Sequence, residues 1–161
     1  MRTLRHLCAT RAGTRRRFNE AVDAGIAAAI AAVEARTSAE IRFVIETALD
    51  LPELWTGVTP RERALHVFSV LRVWDTELRN GVLIYVLAAD RDVEIVVDRA
   101  AIRISPMEWE AACKLMEGHF QAGRFKEGAV AGVEAVGELL VREFPIRGRD
   151  RDELPNQPTL L

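Results

Sequence analysis

The stretch Asn80-Gly81-Val82-Leu83-Ile84-Tyr85-Val86-Leu87 decides the fold. Its last six residues form a continuous hydrophobic run, which is typical of a strand that is covered on both faces. After the polar link Asp90-Arg91-Asp92, the run Val93-Glu94-Ile95-Val96-Val97 predicts a second strand. Because the link is too short for a parallel crossover, we expect the two strands to form an antiparallel hairpin with the first strand at the centre of the sheet.

The periodicity of the remaining sequence places other elements around this hairpin. Apolar residues recur every three or four positions from Phe18 to Val33, which predicts an amphipathic helix. Residues 39–48 alternate as a strand does, and the polar residues on one of its sides favour an edge or partly exposed position. Capping boxes predict helices that begin at Pro60 and Pro106, and a last helix runs from about Phe125 until Pro145.

The predicted element order is therefore α-β-α-β-β-α-α. The first strand reaches the second through a helix, so the two strands should be parallel, with a right-handed crossover. Since the second strand is hydrophobic on both sides, helices must cover both faces of a mixed sheet, which gives a three-layer α/β/α sandwich. We expect a basic N-terminal arm at residues 1–17, one domain at residues 18–144 and a mobile tail at residues 145–161.

Composition limits the class of protein. The chain has 161 residues, of which 49% are hydrophobic, and this suits one globular domain. The formal net charge of −2 provides no overall field for nucleic acid, and no apolar stretch has the roughly 20 residues that span a bilayer. The two cysteines show no paired spacing, which favours a reducing cytoplasm. Arginine is strongly preferred over lysine, which favours a bacterial source over a mitochondrial presequence for the arginine-rich arm.

Several segments together resemble the TPM domain, a family named for a thylakoid acid phosphatase and related proteins. The segments that carry the resemblance are Asn80–Val86, Asp90-Arg91, Val93-Glu94-Ile95, Phe120–Phe125 and Glu127–Val133. The resemblance covers roughly residues 18–144 and implies an α/β/α sandwich. Some members bind calcium or another divalent ion, a few are reported as phosphatases, and bacterial members are often associated with LemA-type membrane proteins. The resemblance therefore implies a LemA-type partner, and the chain is similar to a short soluble bacterial subgroup without the usual signal sequence and membrane anchor.

Two segments depart from the family pattern. Arg15-Arg16-Arg17-Phe18-Asn19 stands where many members have an acidic segment, which removes an acidic group that other members have. Asp98-Arg99-Ala100 stands where a Gly-aromatic-Gly turn is usual.

Strand topology independently predicts a site at one edge of the sheet. The first two strands begin at that edge and the third strand ends there, so polar residues at these strand ends should converge. These residues are Glu40, Asp75, Glu77, Asn80 and Asp98. We predict Asp75, Glu77 and Asp98 as ligands of Ca²⁺ or Mg²⁺, because such ions prefer oxygen ligands. Arg99 and Arg103, beside the helix start at Pro106, are the predicted phosphate-binding residues. The alternative is that these carboxylates are solvated or paired with nearby arginines.

Two functional hypotheses follow. The first is a non-catalytic TPM-type accessory or interaction module, acting in the cytoplasm near the membrane. The second is a weak divalent-dependent phosphatase in which Arg99 binds phosphate. The first is favoured because no histidine has a ligand or nucleophile spacing, and Cys113 is best explained as a small buried apolar residue. Six arginines precede Phe18 with no acidic residue between them, so the arm could bind an anionic membrane or an acidic partner. Its alternatives are a solvated arm, or a short docked helix that packs Leu4 and Leu7.

Overall fold

The computed structural model describes residues 2–146 and 153–161. The described helices are α1 (Arg2–Cys8), α2 (Arg11–Arg17), α3 (Glu20–Glu34), α4 (Leu51–Trp55), α5 (Pro60–Val70), α6 (Pro106–Gln121) and α7 (Phe125–Glu143). The described strands are β1 (Ile41–Glu46), β2 (Val82–Leu87), β3 (Asp92–Val97) and β4 (Thr159–Leu160), and a short 3-10 helix spans Arg99–Arg103.

The strands form one mixed sheet in the order β3-β2-β1-β4. Strands β1 and β2 are parallel, with Ile41 opposite Val82, and β2 and β3 are antiparallel, with Val82 opposite Val97. Every residue of β2 is buried. The predicted central strand, its antiparallel hairpin and its parallel neighbour are therefore all confirmed.

Helices cover both faces of the sheet, which confirms the three-layer sandwich. Alternate residues of β1 and β2, such as Phe43 and Ile84, pack in a large core with α3, α6 and α7. The residues between them, such as Val44 and Leu83, pack on the other face in a smaller core with α5. The alternation of side chains along a strand thus supplies two cores from one sheet.

A buried polar network lies on the smaller-core face. The hydroxyl of Tyr85 donates a hydrogen bond of 2.5 Å to Glu46 Oε2. Arg63 donates to both carboxylate oxygens of Glu46, from Nε at 2.8 Å and from Nη2 at 2.6 Å. Its Nη1 lies 3.0 Å from Glu53 Oε1. The hydrogen bonds to Glu46 raise the pKa of Arg63 although burial opposes this shift. Burial and the charge of Glu46 together raise the pKa of Tyr85.

Strand β1 is not an edge strand, so the predicted edge position was wrong, and Arg42 is its one partly exposed residue. Strand β4 pairs with it in parallel, with Val44 opposite Thr159 and Ile45 opposite Leu160. The returning chain is also held by Leu154, which is buried and whose N–H donates to Glu40 Oε2 at 3.0 Å. Where the sequence predicts a mobile tail, residues 153–161 pack against the domain, while residues 147–152 of that tail lie outside the described residues.

The N-terminal arm forms two helices, and α1 docks through polar contacts. His6 is buried, and its Nδ1 accepts the Leu49 N–H at 3.0 Å. Its Nε2 lies 3.1 Å from Asp90 Oδ2, and Arg2 Nε donates to the same oxygen at 2.8 Å. Leu4 and Leu7 are instead exposed by 66% and 58%. Polar groups, rather than the two leucines, therefore attach α1 to the domain.

The helix boundaries follow the sequence signals. Both predicted capping boxes are present, at Thr59 with Glu62 and at Ser105 with Glu108, and the prolines stand in the first turn. Helix α7 ends just before Pro145 as predicted, whereas the loop expected after β1 contains the short helix α4. Position 81 requires glycine for a steric reason, because a Cβ at this position would collide with the carbonyl oxygen of Val73.

Candidate functional site

A cavity of about 410 Å³ lies at the edge of the sheet where β1 and β2 begin. We call it the Asp98 pocket. It is lined by Trp74, Asp75, Thr76, Glu77, Arg79, Asp98 and Arg99. The first five belong to the loop between α5 and β2, and the last two follow β3. The strand-end argument thus correctly brings Asp75, Glu77, Asp98 and Arg99 to one cavity.

Hydrogen bonds hold the two walls of the Asp98 pocket together. Asn80 is buried and donates from Nδ2 to the carbonyl oxygen of Ser38 at 2.7 Å. The Asp98 N–H donates to the Gly81 carbonyl at 2.9 Å, and the Ala100 N–H donates to the Arg79 carbonyl at 3.0 Å. Asn80 is therefore a structural residue that orders the loop.

Asp98 is the most unusual group of the pocket. It is only 8% exposed, and its Oδ1 accepts the Arg99 N–H at 2.7 Å at the start of the 3-10 helix. Its Oδ2 is buried and has no hydrogen-bond partner among the residues that the structure describes. Leaving a buried acceptor unpaired costs free energy, so this oxygen is a ready acceptor for a ligand.

The other two predicted ligands contact residues that do not line the cavity. Asp75 is exposed and accepts a hydrogen bond of 2.5 Å from Arg72 Nη2. Glu77 is also exposed, and its backbone N–H donates to Glu153 Oε1 at 3.1 Å. Within residues 2–146 and 153–161, no group of three or more His, Cys, Asp or Glu side chains is placed to hold a metal ion. Asp98 fits a hard cation, but the three carboxylates do not form a preformed cage.

The remaining predicted residues lie elsewhere. Arg103 stacks over the ring of Phe144, 4.6 Å from its centroid, and donates to the carbonyl oxygen of Glu143 at 3.0 Å. Glu40 is buried beneath the returning chain, where it accepts the Leu154 N–H. Neither residue lines the Asp98 pocket.

A family model of the TPM domain matches residues 15–139. The chain belongs to the TPM domain family. Its fold is also similar to the NMR structure of BA42 from the psychrophilic bacterium Bizionia argentinensis, with 34% identity and a TM-score of 0.75. That match covers 86% of this chain and 92% of BA42. A comparison with curated proteins found no match. The resemblance inferred from the strand and turn segments is confirmed.

Sequence reasoning missed three residues that line the pocket of this TPM protein: Trp74, Thr76 and Arg79. Arg79 has a φ of 53°, which is uncommon for a residue with a Cβ. Its position directly before Asn80-Gly81 could have indicated that Arg79 lies in a turn, because an Asn-Gly pair marks a turn. Thr76 is buried and its Oγ1 accepts the Asn80 N–H at 3.2 Å, a contact for which the sequence has no signal.

The environment of Cys113 determines how reactive its thiol is in the TPM protein. Cys113 is partly buried against the core, and burial, with the charges of Glu94 and Glu117, raises the pKa of its thiol to about 12. The thiol is therefore protonated at neutral pH and is a poor nucleophile.

In the part of the chain that the structure describes, none of the helices is both long and apolar enough to cross a membrane.

Proposed function

We propose that this TPM-family protein is a non-catalytic binding module that takes a divalent cation, Ca²⁺ or Mg²⁺, in the Asp98 pocket. The observation that carries the proposal is the unpartnered Oδ2 of Asp98, on a carboxylate that is nine-tenths buried. A bound cation would supply the missing partner of this oxygen, and Asp75 and Glu77 line the same cavity.

The same contacts argue for weak binding. Asp75 would have to leave Arg72, and the guanidinium groups of Arg79 and Arg99 line the cavity together with the carboxylates. Both effects oppose a cation, because an ion pair must be broken and like charges brought together. We therefore expect a dissociation constant on the order of 0.1–1 mM, as in weak calcium modules.

NMR titration of the ¹⁵N-labelled full chain with CaCl₂ or MgCl₂, at constant ionic strength, tests the cation site. Saturable shifts are expected at the amides of Glu77, Asp98 and Arg99. The Asp98→Asn variant keeps the size of the side chain, loses its charge and should bind at least about tenfold more weakly. Asp50→Asn is the matched control, because Asp50 is an exposed helix N-cap at which asparagine serves equally well. The absence of saturable shifts, or equal affinity in Asp98→Asn, would contradict the proposal.

The alternative function, a weak divalent-dependent phosphatase, is favoured by one observation. Arg79 and Arg99 border the same cavity as the three carboxylates, and guanidinium groups bind phosphate well. With an aryl phosphate and added calcium or magnesium, we expect no turnover above the protein-free rate. Metal-dependent turnover that Asp98→Asn abolishes and Asp50→Asn retains would establish the alternative in place of the non-catalytic module.

The family also suggests partners. By resemblance, we propose a LemA-type membrane protein or an anionic membrane surface as the partner of the N-terminal helices, in a cytoplasmic setting. The support is their charge: Arg5, Arg16 and Arg17 are exposed on α1 and α2 and form no ion pair with a described residue. Co-sedimentation with anionic vesicles at low and high salt tests the membrane part, because screening should weaken such binding.

A further inference from the structure

A second cavity lies at the opposite end of β2. It has a volume of about 530 Å³ and is formed where α1, the end of α2 and the turn between β2 and β3 meet. Arg5, Arg17 and Arg91 line it, one from each of these three elements. We call this cavity the arginine pocket. It is separate from the Asp98 pocket, because Ala88 in its wall follows β2 whereas the Asp98 pocket lies before β2.

The three arginines have no carboxylate partner among the described residues. Arg17 lies over the ring of Phe125, at 5.8 Å from the centroid, and Arg91 Nη1 donates to the Gln121 carbonyl oxygen at 3.4 Å. Arg5 is exposed on α1. These contacts leave three guanidinium charges uncompensated, although the whole chain has a formal net charge of −2.

The carboxylate in the wall of the arginine pocket already has partners on α1. Asp90 Oδ2 is shared by Arg2 Nε at 2.8 Å and His6 Nε2 at 3.1 Å. Burial opposes ionisation, yet the hydrogen bond from Arg2 and the close contact with His6 hold the pKa of Asp90 below its usual range. Asp90 therefore stays ionised and bound to α1, and it does not pair with Arg5, Arg17 or Arg91.

The arrangement has the chemistry of an oxyanion site. A guanidinium group offers a planar set of donors that matches phosphate oxygens, and three such groups favour an anion with several oxygens and more than one charge. We propose that the arginine pocket binds a phosphate monoester or inorganic phosphate. This inference deepens the proposed contact between the N-terminal helices and an anionic surface. It rests on that contact only if the bound phosphate belongs to a lipid headgroup.

Binding of inorganic phosphate to the full chain tests the pocket without a membrane. NMR titration with sodium phosphate at pH 7.5 and constant ionic strength should give saturable shifts at the amides of Cys8, Asp90 and Arg91. Arg5→Gln and Arg91→Asn should each weaken binding about tenfold or more. Asparagine suits position 91 because its φ is 55°, so this variant should fold normally. Arg36→Gln is the matched control, since Arg36 is exposed after the end of α3 and does not line the cavity.

Vesicles then distinguish the sources of phosphate. One set contains phosphatidylcholine with phosphatidic acid, which carries a phosphate monoester, and the other contains phosphatidylglycerol at equal surface charge. If phosphate binds and only the phosphatidic acid vesicles are bound, a lipid headgroup is the source. If phosphate binds but neither vesicle does, the pocket stands with a free phosphate compound as ligand, and the membrane part of the proposed function fails.

One result would overturn the arginine pocket itself. It is the absence of saturable shifts with phosphate, or equal phosphate affinity in Arg91→Asn and Arg36→Gln. Equal binding to both kinds of vesicle that Arg5→Gln and Arg91→Asn leave unchanged would overturn only the lipid headgroup as the source of phosphate. That pattern would mean that diffuse charge on the N-terminal helices attracts the membrane without using the pocket.

Discussion

Replacing Asp92 with asparagine is expected to stabilise the protein at neutral pH. Asp92 begins β3 and is partly buried, and its Oδ1 is buried with no hydrogen-bond partner among the described residues. Burial is the main cause that raises the pKa of Asp92 to about 6, and repulsion from Glu94, Glu117 and Asp90 adds to it, while Arg2 opposes it. The folded protein therefore carries a carboxylate whose ionisation it disfavours.

The magnitude follows from the difference between the folded and unfolded states. Against an unfolded value of about 3.9, the shift is roughly two pH units, or at most about 3 kcal/mol. Since Asp92 is partly exposed, solvent screening reduces this to about 2 kcal/mol. Below about pH 4 both states hold the proton and the carboxylate costs nothing. As the pH rises from about 4 to 6 the unfolded state ionises while the folded state resists, so the wild type loses stability that the asparagine variant keeps.

Urea denaturation followed by tryptophan fluorescence, from pH 4 to pH 7.5, measures the effect. The free energies of unfolding of Asp92→Asn and wild type should coincide near pH 4 and diverge to about 2 kcal/mol by pH 7.5, with equal m-values. Asp50→Asn, at an exposed N-cap, should not show this divergence. If Asp92→Asn were no more stable than wild type at pH 7.5, or equally stabilised at pH 4, the reasoning would be refuted.

Five other substitutions test the packing, and urea denaturation measures the change in stability for each of them. Arg63→Met should cost about 4 kcal/mol, because it leaves a buried carboxylate without its guanidinium partner, whereas Tyr85→Phe removes one hydrogen bond and should cost about 1.5 kcal/mol. Equal losses would contradict this ranking. Gly81→Ala should cost more than about 3 kcal/mol through its backbone collision, and Gly118→Ala, in open space on α6, should gain about 0.5–1 kcal/mol. His6→Ala should cost about 2 kcal/mol and speed hydrogen exchange in α1, and unchanged exchange would show that α1 docks without it.

The central part of the fold was predictable because its hydrophobic pattern has one structural solution. Six consecutive hydrophobic residues at Val82–Leu87 need cover on both faces, and the short polar link after them allows only a hairpin. The position of β1 was not predictable in this way. Arg42 and Glu46 indicated a solvent-facing side, but Arg42 donates to the carbonyl oxygen of Pro155 at 2.8 Å, and Glu46 is buried with polar partners. Periodicity cannot distinguish a solvated polar residue from one whose partner lies far along the chain.

The docked conformation of the N-terminal arm also depends on partners that are distant in sequence. Its arginines were plain in the sequence, but helices of seven residues are marginal alone and depend on tertiary contacts. Here the decisive contact is His6 with Leu49 and Asp90, residues that are distant in sequence. Charge was therefore predictable, and the docked conformation was not.

For the candidate site, strand topology located the cavity but not every side chain around it. Asp98 and Arg99 follow directly from the end of β3 and line the cavity as expected. Arg103 does not, because the intervening residues form a 3-10 helix with about three residues per turn, which turns residues four apart to different sides. Binding of a cation or of phosphate by any of these residues stays a prediction.

The two outer strands have a further consequence for how molecules of this protein meet one another. On β3, the Val93 N–H already donates to Glu117 Oε1 at 3.2 Å, and the Ile95 carbonyl accepts from Arg61 Nη1 at 2.5 Å. On the far side, β4 offers only two residues. A strand from a second molecule would thus meet either β3, where these two backbone groups already have partners, or the two residues of β4. Because exposed edges template intermolecular sheets, both features disfavour edge-to-edge pairing between molecules.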